Sequence, residues 1–507
     1  MTGAEPIVIA VDQGSSSTKA LAVGAGGAVL GVGSVAVGES HPQPGWVEQD
    51  AGEITASLAA AVAGCLAGLD PQRVVAIGLS TQRESVVLWD RTTGVPVAPL
   101  VSWQDGRARE LGERIRAGGS ADLVERISGL PLDPMFSALK AAWLLDRYDP
   151  HRTRSRRGDL CLGTVDSWLT STPEQHLIEI GHASRTQLLD LGTGQWSPEL
   201  LEVFGVPEAV LPTVVASDGP FPALGARGPI GALGPIGPGV PTCAVLGDSH
   251  AALFGSGVRG PGPVKATYGT GSSVMTLVDA ADVEAPGLGR TIAWQRGLER
   301  AGPAYALEGN IRATGATLMW LGRLLGATPD ALAGLADGAE SGGVCLVPAF
   351  GGLGAPWWDP AATGLLTGLT LATGPAQLAR AALESIALQV NDVVRAAQAG
   401  GAEVTRLLAD GGASSNDTLM QLQADLTAVP VERSTVANLS ALGAAHLAGL
   451  AAGVWDDDTL AGRAHARDVF APQLAAAART EHLERWHHAV TQARTAHPPD
   501  SSPRSPS

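Results

Sequence analysis

The sequence predicts an α/β protein of two domains, each built on a mixed sheet, with a cleft between them. Three observations carry this. The chain has 507 residues, more than one hydrophobic core accommodates. One segment in each half has the same pattern of apolar strand, tight Gly/Ser/Thr turn and second apolar strand. These are Ile9-Ala-Val-Asp12-Gln-Gly14-Ser15-Ser16-Ser17-Thr18-Lys19 and Val264-Lys265-Ala-Thr267-Tyr-Gly269-Thr270-Gly271-Ser272-Ser273. Between them, Asp218–Pro241 is so dense in Gly and Pro that it reads as a loop just before a domain boundary.

Along the chain, residues 7–37 read as three short strands with glycine turns. Residues 51–69 are Ala/Leu-rich at helical spacing, and Val74–Leu79 is a buried strand. Residues 105–127 and 138–148 read as helices. A second domain is expected to open near Cys243 with the strand Cys-Ala-Val-Leu, and to contain helices over 310–326 and 375–399. A strand at Leu407–Ala409 and helices over Asp417–Asp425 and 439–453 follow. The expected domains are therefore 1–242 and 243–455. A C-terminal extension, 456–507, ends in a disordered Pro/Ser tail.

Composition narrows the function. Hydrophobic residues make up 45% of the chain and charged residues 17%, which is enough apolar surface to fold. A net charge of −16 argues against a nucleic-acid partner, since a phosphate backbone is held by a basic face. The four cysteines, Cys65, Cys161, Cys243 and Cys345, lie far apart without CxxC spacing, so neither a disulfide framework nor a zinc site is expected. The opening Met-Thr-Gly-Ala-Glu-Pro carries no signal-peptide pattern, and no apolar run is long enough to span a membrane. The expected setting is cytoplasmic, as a homo-oligomer (dimer or tetramer). Only three of the 34 basic residues are lysines, and two of those, Lys19 and Lys265, lie in or beside the paired hairpins. Coding bias toward arginine is the plain explanation, but lysine is a compact charge suited to phosphate.

Glycine lets a turn adopt φ > 0 and approach a ligand, and the hydroxyls and N–H groups of such a turn form a nest for phosphate oxygens. One loop of this kind says little, because any hairpin needs small residues to turn. Two of them facing across a cleft point to ATP rather than a dinucleotide. Asp12 and Asp248 each end a strand. An isolated Asp there is as well explained as a helix cap. Phosphoryl transfer, however, needs a metal near the phosphates and a base near the acceptor hydroxyl, and these two carboxylates supply both. Asp12 and Asp248 are accordingly the candidates to hold Mg²⁺, directly or through water. A third turn, Gly411-Gly412-Ala-Ser-Ser-Asn416, would complete a nucleotide cleft; alone it reads as a plain strand-to-helix turn.

In these and further segments the chain resembles the FGGY carbohydrate kinases and, within them, is most similar to the glycerol kinases. The segments include Asp12-Gln-Gly-Ser-Ser-Ser-Thr-Lys, Pro44-Gly-Trp-Val-Glu-Gln-Asp50, Thr81-Gln-Arg83-Glu84-Ser, Asp133-Pro-Met-Phe-Ser-Ala-Leu-Lys140, Gly163-Thr-Val-Asp-Ser-Trp168, Ala183-Ser-Arg-Thr186, Tyr305-Ala-Leu-Glu-Gly309 and Asp410-Gly-Gly-Ala. They run in family order from about residue 7 to 455. The resemblance implies two actin-like, ribonuclease-H-like domains closing on ATP–Mg²⁺ and a small sugar or polyol. It implies that Ser15, Ser16, Ser17 and Lys19 form the first phosphate loop, and Thr270 and Gly271 the second. Gly315, Gly412 and Asn416 would contact adenosine. Asp248 would be the general base, Arg83 and Glu84 would bind acceptor hydroxyls, and Trp103 would pack the carbon chain.

Departures from the glycerol kinase pattern fall in the acceptor pocket. Those enzymes place Tyr where this chain has Met135, Gln at Ser249 and Phe at Ser273; at an adenosine contact they place Gln where this chain has Met319. The changes open room for an acceptor larger than glycerol, although glycerol remains the first candidate. A tetritol or pentulose is the alternative within the class. From another class, a non-catalytic nucleotide-binding protein of the actin or Hsp70 type shares the fold. The 225–240 loop lacks the Gly-Gly-Lys/Arg character linked with sugar-phosphate feedback, so that regulation is not expected.

Overall fold

The computed structural model describes residues 5–223, 233–297, 302–462 and 467–495. A five-stranded sheet forms the first half, in the order Thr242–Gly247, Val74–Thr81, Ile7–Gln13, Ser17–Gly24, Val29–Ala36. The first three of these run parallel, and the last two continue as an antiparallel meander. Ile7–Gln13 is buried at every position except Asp12, as a central strand covered on both faces must be.

The second half repeats the plan. Its seven-stranded sheet runs Gly289–Trp294, Ala304–Ile311, Ser272–Val278, Gly262–Tyr268, Val404–Asp410, Val431–Ser434, Arg467–Phe470. The hairpin Gly262–Tyr268/Ser272–Val278 is antiparallel, and Val404–Asp410 lies parallel to its first strand, as Val74–Thr81 lies parallel to Ile7–Gln13. A helix follows the fifth strand of the common plan in each half: Asp248–Gly255 in the first and Leu439–Ala451 in the second. These two helices cross at Gly255 and Gly443. A Cβ on Gly443 would lie 1.8 Å from the Ala251 carbonyl oxygen, and one on Gly255 would lie 2.4 Å from that of Leu439, so only glycine permits the approach. A core that includes Val8, Leu246, Phe254, Leu277, Trp294 and Ala444 joins the two sheets behind the cleft.

Three expectations change. The strand opening at Thr242 belongs to the first sheet, because its apolar residues pair parallel with Val74–Thr81. The extension after 455 is part of the second half: Arg467–Phe470 closes the edge of the sheet, and the helix Ala476–Thr495 buries Trp486 completely. The expected helix over 105–127 is two helices, Arg109–Ala117 and Ala121–Ser128, separated at Gly118-Gly119, where Gly119 takes φ +82°. The terminal tail and residues 224–232 of the Gly/Pro loop lie outside the described residues. Among the described residues no helix is long and apolar enough to cross a membrane.

Candidate active site

Strand ends from both halves converge on one cleft. After the buried strand Val74–Thr81 the chain turns sharply, and Glu84 takes the left-handed φ of +61°, uncommon for a residue with a side chain. Arg83 and Glu84 are both buried, which rules out a surface ion pair. Arg83 grips Glu308 in a bidentate pair: Nη1 donates to Oε2 at 2.8 Å and Nη2 to Oε1 at 2.7 Å. Its Nε donates to Asp248 Oδ1 at 3.1 Å and its Nη2 to Ser249 Oγ at 3.1 Å, while Nη1 lies 3.3 Å from His250 Nε2. These five contacts match the five N–H donors of a guanidinium.

The array continues outward. Arg185 Nε donates to Glu84 Oε1 at 2.7 Å, and its Nη1 lies 2.9 Å from Glu308 Oε2 without hydrogen-bond alignment. Ser273 Oγ donates to Glu308 Oε1 at 2.8 Å. Burial disfavours every charge here, but mutual neutralisation wins. Desolvation works against the Glu308 carboxylate, yet Arg185 and Arg83 hold its pKa far below the usual range. Desolvation likewise works against Arg83, and Glu308, Glu84 and Asp248 hold it cationic. His250 is kept neutral by burial and by Arg83. The result is a wall of alternating donors and acceptors, the chemistry that a hydroxyl, which both donates and accepts, requires.

Asp248 opens its helix at the end of Thr242–Gly247, and its Oδ1 takes both the Arg83 bond and the Ser249 N–H at 2.6 Å. Asp12 accepts from Ser80 Oγ at 2.7 Å and faces Lys19 across the hairpin. Desolvation, reinforced by the charge of Asp248, raises the Asp12 pKa to about 6. In the first hairpin the Gly14 N–H closes on the Ser17 carbonyl at 3.0 Å, leaving Ser16 exposed at the tip. Trp103 donates its indole N–H to Ser15 Oγ at 2.9 Å, so the expected carbon-chain wall is pinned to the expected phosphate loop.

The second hairpin presents Thr270, exposed, with Gly271 beside it. Thr314 and Ala316 donate their N–H groups to the Thr270 carbonyl, and Gly315 donates to that of Gly269. The hairpin therefore rests on the start of the helix Gly315–Leu325. Lys265, which the sequence places beside this hairpin, pairs with Asp410 at 3.0 Å. Gly412 is exposed, and a Cβ built on it would meet nothing within 4 Å. Asn416 Oδ1 caps the helix Asp417–Thr427 through the Leu419 N–H at 2.9 Å.

Met135 lies on the turn Asp133–Phe136 beside Glu84: Ser137 Oγ donates to the Glu84 carbonyl at 3.1 Å, and the Arg185 guanidinium stands 5.0 Å from the Phe136 ring centroid. Buried Lys140 ties this turn down, donating to the carbonyls of Pro134, Met135 and Phe136. Burial lowers its pKa to about 7, against the pull of Glu84, Asp105 and Asp133. Glu308, Arg185 and Lys140 were not assigned site roles from the sequence. A lone Glu inside the apolar strand Ala304–Ile311 was the available signal, since a buried charge must be paired.

The fold and site define a two-domain kinase, with one hairpin from each half at the cleft and a buried wall of alternating donors and acceptors ending at a carboxylate. The family model for the N-terminal domain of FGGY carbohydrate kinases matches residues 7–255, and that for the C-terminal domain matches residues 264–452. The chain belongs to the FGGY family of carbohydrate kinases. It is 43% identical to an apulose kinase of Pectobacterium atrosepticum, covering 96% of this chain and 98% of that protein. It is 42% identical to a glycerol kinase of Aromatoleum aromaticum over the same shares. A crystal structure of Plasmodium falciparum glycerol kinase with ADP superposes with a TM-score of 0.86 at 28% identity, covering 96% of this chain and 98% of that one.

Proposed function

We propose that the protein transfers the γ-phosphoryl group of ATP to a primary hydroxyl of a small polyol or sugar, with glycerol as the first acceptor to test. The observation that carries this reading is the buried Arg83–Glu308–Arg185–Glu84 wall ending at Asp248. The non-catalytic alternative gives no use to such a wall.

In this reading Arg83 and Glu84 hold neighbouring hydroxyls while Trp103 and Met135 cover the C–H face. Arg83 has no donor to spare, so an incoming hydroxyl takes the place of the Ser249 contact or shares it. Asp248 accepts the proton of the attacking hydroxyl as that oxygen bonds to the γ-phosphorus and the bond to the β–γ bridging oxygen breaks. Ser15, Ser16, Ser17, Thr270 and Gly271 grip the phosphates from two sides, with Lys19 as the point charge. Gly412 offers bare backbone to a flat ring, Gly315 brings the helix start close, and the Asn416 amide N–H₂ is left to donate to adenosine.

The residues fit magnesium. The charge of Asp248 adds to burial in raising the Asp12 pKa, and hard carboxylate oxygens suit an ion that binds through one or two carboxylates plus phosphates. Bound there, magnesium would neutralise charge developing on the phosphates.

A second reading has a specific support. Ser249 and Ser273 place small hydroxyls on the Arg83–Glu308 pair, and one relative is named an apulose kinase. A four- or five-carbon ketose or polyol would then fill the pocket. An ADP-release screen over C3–C6 polyols and ketoses tests both readings; if none raises ADP release above the acceptor-free rate, the kinase reading fails.

A further inference from the structure

Arg312 stands where the strand Ala304–Ile311, which carries Glu308, gives way to the helix Gly315–Leu325. Two residues on, Thr314 supports the second hairpin: its N–H donates to the Thr270 carbonyl at 2.9 Å, and its hydroxyl shares a hydrogen bond with Ser272 Oγ at 2.7 Å. The backbone of Arg312 is therefore continuous with the nucleotide side of the cleft. Its side chain reaches the other side. Nη2 donates to Asp133 Oδ2 at 3.0 Å, while Nη1 is steadied by the Gly351 carbonyl at 3.0 Å. The other oxygen of Asp133 accepts the Met135 N–H at 2.9 Å. Trp358, from the same second-half loop as Gly351, sets its ring 6.3 Å from that of Phe136.

The turn Asp133–Phe136 is thus held by two basic side chains, one from each half. Lys140 anchors it from within its own half, in a buried site that does not depend on cleft closure. Arg312 reaches it from the other half through an ion pair that is only partly covered, the two side chains being 32% and 16% exposed. Neither partner is needed to fill a core.

We propose that the Arg312–Asp133 pair is a latch between the two halves, one that couples nucleotide occupancy to the grip on the acceptor. An ion pair between groups on two halves forms only when the halves stand at one separation. A nucleotide that fixes the hairpin 268–272 fixes Arg312 with it, and Arg312 then presses Asp133, and with it Met135 and Phe136, toward the acceptor. Arg312 is a positioning residue and touches no reacting atom. The inference rests on the kinase reading above.

The test compares wild type with Arg312→Ala, Arg312→Lys, Asp133→Asn and the Arg312→Ala/Asp133→Asn double variant, using glycerol and D-xylulose as acceptors. Arg312→Ala is expected to raise the acceptor KM by ~3–5-fold at low salt, the upper range for a partly exposed pair, with kcat within ~2-fold. High salt should shrink the difference. Arg312→Lys should recover part of it, and the double variant should be no worse than the worse single one. In wild type, raising ATP should lower the acceptor KM, and Arg312→Ala should flatten that dependence. An unchanged acceptor KM, or equal shifts in the ATP and acceptor KM with a lowered Tm, would overturn the latch. If wild type phosphorylates neither probe, hydrogen exchange still decides. With ADP bound, amides of 133–137 must exchange faster in Arg312→Ala than in wild type, and equal exchange refutes the proposal.

Discussion

The two hairpins hold matching places in their sheets but handle charge in opposite ways. In the first half Asp12 lies one residue from its strand end, facing Lys19 on one neighbour and Ser80 on the other. The matching position in the second half is Thr267, facing Ser273 and Asp410. There the charges cancel beneath the turn, Lys265 against Asp410 at 3.0 Å. In the first half the Asp12 carboxyl keeps a hydroxyl partner and a nearby Asp248, and its pKa is pushed up to about 6 by burial and that neighbour. The helices after the fifth strands differ in the same sense. One opens on Asp248, whereas the other opens on Leu439 with no acid in its first turn. Duplication supplies the frame, and the charges available for chemistry belong to the first half. The second half contributes shape, backbone donors and, through Glu308, one buried counter-charge.

The sharpest way to break this contrast is at Asp248. Loss of a general base costs about 10²–10⁴ in rate. Asp248→Asn should lower kcat within that range while ATP affinity changes little. Retention of more than about a tenth of wild-type kcat on the best acceptor would remove the base from the first half.

The two lysines give the next largest effect and oppose the halves directly. Lys19→Ala should weaken ATP binding by ~10–100-fold, the loss of one charge-assisted contact, with acceptor binding nearly intact. Lys265→Ala should leave ATP affinity within a few-fold and lower Tm instead, because Asp410 loses its cation in a mostly buried place. Adding Asp410→Asn should recover part of that Tm. Calorimetric titration with ATP and thermal melts of both variants settle it. Equal ATP losses at the two lysines would make the halves alike.

How far the sequence showed this contrast depends on the range of the interactions. The hairpins and Asp248 were legible because their signals are local, a glycine turn between apolar strands or an acid at a strand end, whereas Arg83 and Glu84 entered only through the family resemblance. Glu308 and Arg185 escaped assignment because each gets its meaning from partners distant in sequence, Arg83 across 225 positions in the case of Glu308. The partner of Lys265 was not legible either, for a geometric reason. Lys265 lies three residues before the end of its strand, and there it meets Asp410 from a neighbouring strand. The strand at Thr242 was recognised as a strand, but its sheet was not, because parallel pairing is decided by a crossover rather than by composition. Arg467–Phe470, four residues pairing with Val431–Ser434 at the sheet edge, carried no periodicity long enough to read.

Asp12 sharpens the comparison through stability. Its folded pKa is raised, to about 6 from 3.8, so the folded protein holds the proton more tightly than the unfolded chain. The contribution of Asp12 to stability is therefore greatest below pH ~4 and is lost as the pH rises through ~6. Without magnesium, Asp12→Asn should melt above wild type at pH 7–8, with the gap closing below pH ~4. Magnesium should raise the wild-type Tm and leave that of Asp12→Asn nearly unmoved. A magnesium shift of equal size in both proteins would take the ion away from Asp12.

The last comparison concerns which acceptor fits, and here the second half has its say. Ser273 reaches the acceptor wall from the second hairpin, bonded to Glu308, whereas Ser249 and Met135 approach from the first half. Both serines are short and both lean on the same Arg83–Glu308 pair, so the donors of Arg83 are taken up before any acceptor arrives. In the proposed reading a longer acceptor would gain more from this arrangement, because its extra hydroxyl would replace a serine contact, whereas glycerol would meet Arg83 and Glu84 alone. Wild type should therefore favour a four- or five-carbon polyol or ketose over glycerol in kcat/KM, by a factor of ~10–200 if the added carbon is well packed. Ser273→Phe, combined with Ser249→Gln, should narrow or reverse that ratio, and Ser273→Phe alone should account for part of it. If wild type prefers glycerol by tenfold or more over every longer acceptor, other side chains have refilled the pocket. The specificity argument then fails, and the kinase chemistry of the first half stands untouched.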